Sequence, residues 1–99
     1  MSYEQHQIED RRLVILRALA AAVQYRANAY LLRSFCDQVG HTTSADRLAV
    51  DLAWLAEGGL VTTAQPAADV LVATLTARGL DVAEGRASHP GVKRPAPGA

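Results

Sequence analysis

"TTSADRLAVDLAWLAEGGLV", residues 42–61, decides how the rest of the chain is read. Leu48, Leu52 and Leu55 recur at helical spacing, so at about 100° per residue they share one side of a helix. Thr43 or Ser44 supplies its N-cap, and Thr43 with Asp46 forms a variant of the capping box. The helix runs to about Glu57, where the Gly58-Gly59 pair stops it. Opposite the leucines lie Asp46, Val50, Ala53 and Glu57, with Arg47 and Trp54 along one flank. A single arginine on an otherwise apolar and acidic outer side leaves open what this helix meets.

Upstream, "NAYLLRSFCDQVG" (28–40) reads as a second helix capped by Asn28 and ended by Gly40. Leu31, Leu32, Phe35, Cys36 and Val39 follow helical spacing and are expected in the core, and "HTTS" (41–44) forms the turn between the two helices. From Tyr3 to about Val23 the sequence favours a longer helix without Gly or Pro. It carries two apolar stripes, Ile8, Ile15 and Leu19 on one side and Leu13, Leu16, Ala20 and Val23 on another. A surface helix of a monomer usually needs one stripe, so the second predicts a contact with another copy of the chain.

Downstream, "LVTTAQ" (60–65) and "VLVATL" (70–75) are rich in β-branched and aliphatic residues, with "PAAD" (66–69) as the turn of a hairpin. Thr76 caps a last helix, "TARGLDVAEGRA", although Gly79 and Gly85 weaken it. From residue 88 to 99, "SHPGVKRPAPGA" reads as a flexible tail, which leaves one folded domain over residues 3–87. The predicted fold is mainly α with a small β-hairpin. Three helices, two strands and a final helix in that order (α-α-α-β-β-α) make a winged helix-turn-helix.

Composition narrows the function. With 99 residues, 49% of them apolar and 20% charged, the chain supports one ordinary globular domain. Its formal net charge is zero, so no overall field draws it to nucleic acid, unlike most compact DNA binders. The single Cys36 excludes an internal disulfide and suits a reducing cytoplasm. The start, "MSYEQHQIEDRR", is too polar for a signal peptide, and the apolar stretch 13–23 is broken by Arg17 and too short to cross a bilayer. A soluble protein of the bacterial cytoplasm is expected, without membrane contact. Cys36 and His41 are near in sequence, but Cys36 falls on an apolar stripe where a cysteine is usually an inert small hydrophobe. His6, His41 and His89 lack metal-ligand spacing, and no glycine-rich phosphate loop occurs. The expectation is no enzyme, no cofactor and no metal.

"DLAWLAEGGLVTT" followed by "VATLTARGLDVAEGRA" is similar to winged-helix transcriptional regulators in general. With "EDRRLVILRAL" before it and "PGVKRP" after it, the chain more narrowly resembles small ArsR-like winged-helix proteins of Mu-like bacteriophages and prophages. The resemblance runs from about Glu9 to Pro95 and implies a cytoplasmic, dimeric, DNA-binding protein. Two departures matter. The segment "LAVDL" lacks the arginines that such regulators commonly place before the Asp-Leu pair, and residues 43–57 lack the cysteine cluster of the metal-sensing members.

On this reading the start of the third helix reaches double-stranded DNA through Thr42, Thr43, Ser44, Arg47 and Val50. Arg26 and Arg33 hold phosphates where the second helix crosses the backbone. A blander reading makes Thr43 and Ser44 caps only, and pairs Arg47 with Asp51 one turn later. Trp54 is either an interface anchor or a lid over the core beside the hairpin, and Arg11 and Arg12 make a solvated face paired with Glu9 and Asp10. A homodimer joined through Leu13, Leu16, Ala20 and Val23 would set two reading helices about 34 Å apart. The rival is a protein-interaction module that keeps the fold without reading DNA, motivated by Val50, Ala53 and Trp54.

Overall fold

The computed structural model describes residues 2–97. Helix α1 spans Tyr3–Ala21, β1 Arg26–Asn28, α2 Ala29–Gln38, α3 Ala45–Glu57, β2 Val61–Ala67, β3 Val70–Leu75 and α4 Ala77–Ala83. The protein is mainly helical, with one small antiparallel sheet ordered β1-β3-β2. The sheet has a strand more than the sequence predicts. After α1 a tight turn puts Gln24 and Tyr25 at φ of 57° and 58°, and this redirects the chain into β1. "RAN" is too short and too poor in β-branched residues to announce a strand. It pairs because β3 offers a free edge: Arg26, Ala27 and Asn28 lie opposite Thr74, Ala73 and Val72.

Each helix after α1 starts on a side-chain cap. Asn28, Ser44 and Thr76 accept from the backbone N–H groups of Leu31, Arg47 and Gly79. Helix α3 stops in a Schellman motif, with Leu60 N–H on the Leu55 carbonyl and Gly59 N–H on that of Ala56. Gly59 sits at φ 75°, which a glycine adopts without strain. That turn launches β2. The same corner explains Gly79, which looked out of place in a helix. A Cβ there would collide with the Leu60 carbonyl, so α4 lies against the start of β2 as only glycine allows. Thr76 Oγ1 closes the corner by donating to the carbonyl of Gly59 at 2.7 Å.

Helix α1 forms the centre of the core. Leu13, Ile15, Leu16 and Leu19 are all buried within the one chain, against α2, α4 and β3. Their positions cover about 160° of the helix circumference, so residues of both stripes pack inside the protomer. This corrects the expected dimer surface: Leu13 and Leu16 are 4% and 0% exposed and unavailable to a second copy. Ala20 is half-buried on the core, and Val23 lies beyond the helix, exposed on the turn. The unpartnered apolar stripe is on α2 instead. Leu32 and Cys36 are buried as expected, but Leu31, Phe35 and Val39 are 56%, 39% and 49% exposed. A helix of ten residues buries one narrow side, and α2 spends it on Leu32 and Cys36.

The segment from residue 88 also departs from expectation. Instead of a flexible tail, the chain folds back over α1 and α3. Val92 is buried, and the Lys93 N–H bonds the Glu9 carbonyl at 3.3 Å. Trp54 lies under this strap rather than beside the hairpin. The Arg12 guanidinium stacks 3.7 Å from its ring centroid, and His89 meets its edge at 5.5 Å. Arg12 Nη1 also donates to the Gly91 carbonyl at 2.9 Å. Composition alone misjudges the segment because one buried valine, the His89–Trp54 ring contact and a few hydrogen bonds dock it.

Buried between α1 and α3, Arg11 grips Asp51 with two donors, Nε on Oδ2 and Nη2 on Oδ1, the latter at 3.2 Å. Arg11 and Arg12 are therefore structural, not a solvated face paired with Glu9 and Asp10. Removing one partner strands a buried charge. Asp51→Ala is expected to cost about 3–5 kcal/mol in urea unfolding, against about 0.5 kcal/mol or less for Arg47→Ala. Burial pushes the Cys36 thiol up to about 11, so it stays protonated and inert at neutral pH. A thiol reagent at about pH 8 is expected to label Cys36 only when the protein is unfolded in denaturant.

Candidate nucleic-acid interface

The turn between α2 and α3 is held from both ends. His41 N–H closes α2 on the Cys36 carbonyl at 2.8 Å, and Thr43 Oγ1 donates to the His41 carbonyl at 3.0 Å. The His41 ring bonds Asp10 of α1 through Nε2 at 2.7 Å, and Lys93 Nζ bonds the other oxygen of that carboxylate at 3.2 Å. Partial burial pushes the Asp10 carboxyl up, but the hydrogen bonds from His41 and Lys93 outweigh it and hold it below its usual value. Two neighbouring residues of α1 therefore fix the turn and α3: Asp10 holds the turn and Arg11 holds α3.

This geometry sorts the expected DNA contacts. Ser44 is the N-cap of α3, and its hydroxyl remains exposed while it accepts from the Arg47 N–H at 3.1 Å. Thr43 is not the cap. It is 6% exposed, and its hydroxyl is turned inward onto the His41 carbonyl. The expected Thr43–Asp46 capping box is replaced by the Ser44 cap alone. Thr42 is exposed and lines two shallow grooves, one with Arg33 of α2 and one with Ser44 and Arg47 of α3. Val50 is 63% exposed, one turn along α3 from Arg47.

Arg47 is the informative residue. The expected competitor for it, Asp51, is 2% exposed and fully engaged by Arg11. Among the described residues neither Arg47 nor Arg33 has an ion-pair partner, and both are exposed. Arg26 stands apart from them. Ala27 and Ala73 face the core, so by strand alternation Arg26 and its partner Thr74 face the other side of the sheet. The hairpin adds no cation: residues 62–70, "TTAQPAADV", are exposed and hold one acid, Asp69. Thr42 joins the groove of Arg33, which Asp37 also lines, to the groove of Ser44 and Arg47, which Glu4 also lines, so the edge around the turn is polar and mixed in charge.

Sequence reasoning missed what sets up this edge. Arg11 and Asp51 are 40 residues apart, and nothing local marks them as a pair. It also missed Glu4 and Gln7, which share the groove of Ser44 and Arg47 from the first turns of α1. Among the described residues no cluster of His, Cys, Asp or Glu is placed to hold a metal ion, and no helix is long and apolar enough to cross a membrane.

No established family model matches the chain. A search of solved structures finds "The complex structure of hsRosR-S1" at a TM-score of 0.63 and 20% identity, covering 79% of this chain and 68% of that one. The likeness is one of fold, that of a winged-helix protein. An uncharacterized protein of Haemophilus influenzae is 38% identical over 80 residues, which is 81% of this chain and 78% of the relative. The protein gp26 of Escherichia phage Mu, also described as uncharacterized, is 50% identical over 89 residues, 90% of this chain and 91% of the relative. With near-complete coverage on both sides, the chain belongs to the family of phage Mu gp26.

Proposed function

We propose that this protein binds double-stranded DNA as an ArsR-like winged-helix regulator of phage or prophage transcription, acting as a homodimer in the bacterial cytoplasm. The observation that carries the reading is the unpaired Arg47 at the start of α3, in one groove with Thr42 and Ser44, with Thr42 also lining the groove of Arg33. In a helix-turn-helix these positions face base edges and phosphates. The fold likeness to hsRosR-S1 and the kinship with a phage protein support the same reading.

The exposed stripe Leu31, Phe35 and Val39 supports the dimer. At about 100° per residue, Arg33 lies roughly 160° around α2 from Phe35. One helix thus offers a cation to a duplex on one side and an apolar stripe to a second copy on the other. Phe35→Ser is expected to turn a dimer into a monomer in light scattering at high micromolar concentration. A wild-type protein that is already monomeric there contradicts the dimer.

A second reading, a protein-interaction module, draws on the apolar outer side of α3, where Val50 is well exposed. Only part of the expected surface is available to it, because Trp54 is covered by Arg12, His89 and Gly91. Duplex binding separates the two. With Arg33 and Arg47 from two protomers, log K is expected to fall with log salt at a slope of about −3 to −4. Arg47→Ala is expected to weaken binding about 5- to 100-fold, and Arg33→Ala to shrink the slope by about 1 for each phosphate left unneutralised. Unchanged binding in both variants overturns the DNA reading at this edge.

A further inference from the structure

We propose that the duplex-facing surface continues from α3 onto the first two turns of α1 rather than onto the hairpin, with Gln7 as a further DNA contact and Glu4 as a brake on affinity. The proposal rests on the DNA reading above and names residues that it does not need. Glu4, Gln7 and Arg11 stand at spacings of three and four, so they share one face of α1. Arg11 holds Asp51 of α3, which turns that face towards the reading helix. The result is one open groove whose rim is Glu4 and Gln7 on the α1 side and Thr42, Ser44 and Arg47 on the α3 side. Its floor is Ile8 and Arg11, both largely withdrawn from solvent.

Each rim residue has a distinct consequence. Gln7 is exposed, its Nε2 donates to the Tyr3 hydroxyl at 3.3 Å, and among the described residues its amide oxygen accepts no hydrogen bond. An exposed amide beside a reading helix suits phosphate or base-edge hydrogen bonds. Glu4 is exposed too, and among the described residues it has no ion pair within 4.0 Å. Its carboxylate therefore repels a phosphate drawn in by Arg47, over a range comparable with the Debye length of about 8–10 Å. The hairpin lacks comparable means. It has no cation, its acid Asp69 is at the turn, and Gln65 spends its amide on the Ala68 carbonyl at 2.6 Å.

Equilibrium binding of a labelled random-sequence duplex, at about 50 mM and about 200 mM salt, tests the proposal. Glu4→Gln is expected to tighten binding about 3- to 10-fold at the lower salt and less at the higher, as an exposed charge effect must. Gln7→Ala is expected to weaken binding at least about threefold, whereas Asp69→Asn stays within about twofold. Binding unchanged in Glu4→Gln, or a larger gain in Asp69→Asn, overturns the α1 surface. Arg47→Ala, measured in parallel, keeps the two claims apart. If it weakens binding while Glu4→Gln does nothing, the α1 surface falls and the DNA reading stands. If the wild-type protein binds no duplex, both fall.

Discussion

Arg11 takes Asp51, and the organisation of the candidate interface follows from that choice. Asp51 sits one helical turn after Arg47, where an exposed arginine would ordinarily pair with it. Instead the carboxylate points inward and is 2% exposed, bound by two donors from α1. One contact therefore has two effects. It sets the angle of α3 against the central helix, and it leaves Arg47 without an internal partner. A buried pair is weak evidence for stability in itself, since desolvation offsets much of the attraction. Its value here lies in placement: a hydrophobic pair of equal volume would hold α3 as firmly, but would not keep Asp51 from Arg47.

The neighbouring residues of α1 extend the same logic. Asp10 pins the turn through His41, Arg12 stacks on Trp54, and the strap from His89 to Lys93 closes over them. Three consecutive residues, Asp10, Arg11 and Arg12, thus tie α1 to the turn, to α3 and to the C-terminal segment. Much of the positive charge is engaged within the chain, as Arg11, Arg12, Lys93 and Arg86 are held by Asp51, Trp54, Asp10 and the Asp81–Glu84 pair. What reaches solvent around the turn is a narrow edge with few charges. Such an edge fits weak, salt-sensitive attraction better than tight non-specific binding.

Local signals made much of the fold legible. Helices α2, α3 and α4 start at capping residues, and the Gly58-Gly59 stop and the hairpin lie where β-branched residues and turn chemistry place them. What escaped was non-local. β1 exists only because β3 has an edge to offer, and the strap docks through contacts of His89 and Gly91 with Trp54 and Arg12, residues far away in sequence. The two stripes of α1 are plain in the sequence, but their partner is not. Periodicity shows that a face is apolar, not whether it packs on this chain or another. Leu13 and Leu16 face inward, while Leu31, Phe35 and Val39, expected inside, face out. Of the two cap candidates, Ser44 took the cap and Thr43 turned inward, a choice that two adjacent hydroxyl residues leave open.

Two double-mutant cycles in urea unfolding test the central claim most directly, one for Arg11 with Asp51 and one for Arg47 with Asp51. The account predicts a coupling of about 1.5–3 kcal/mol for the first and one within about 0.5 kcal/mol of zero for the second. A large Arg47–Asp51 coupling beside a negligible Arg11–Asp51 coupling would contradict it, because Arg47 would then be committed inside the protein and unavailable to a duplex.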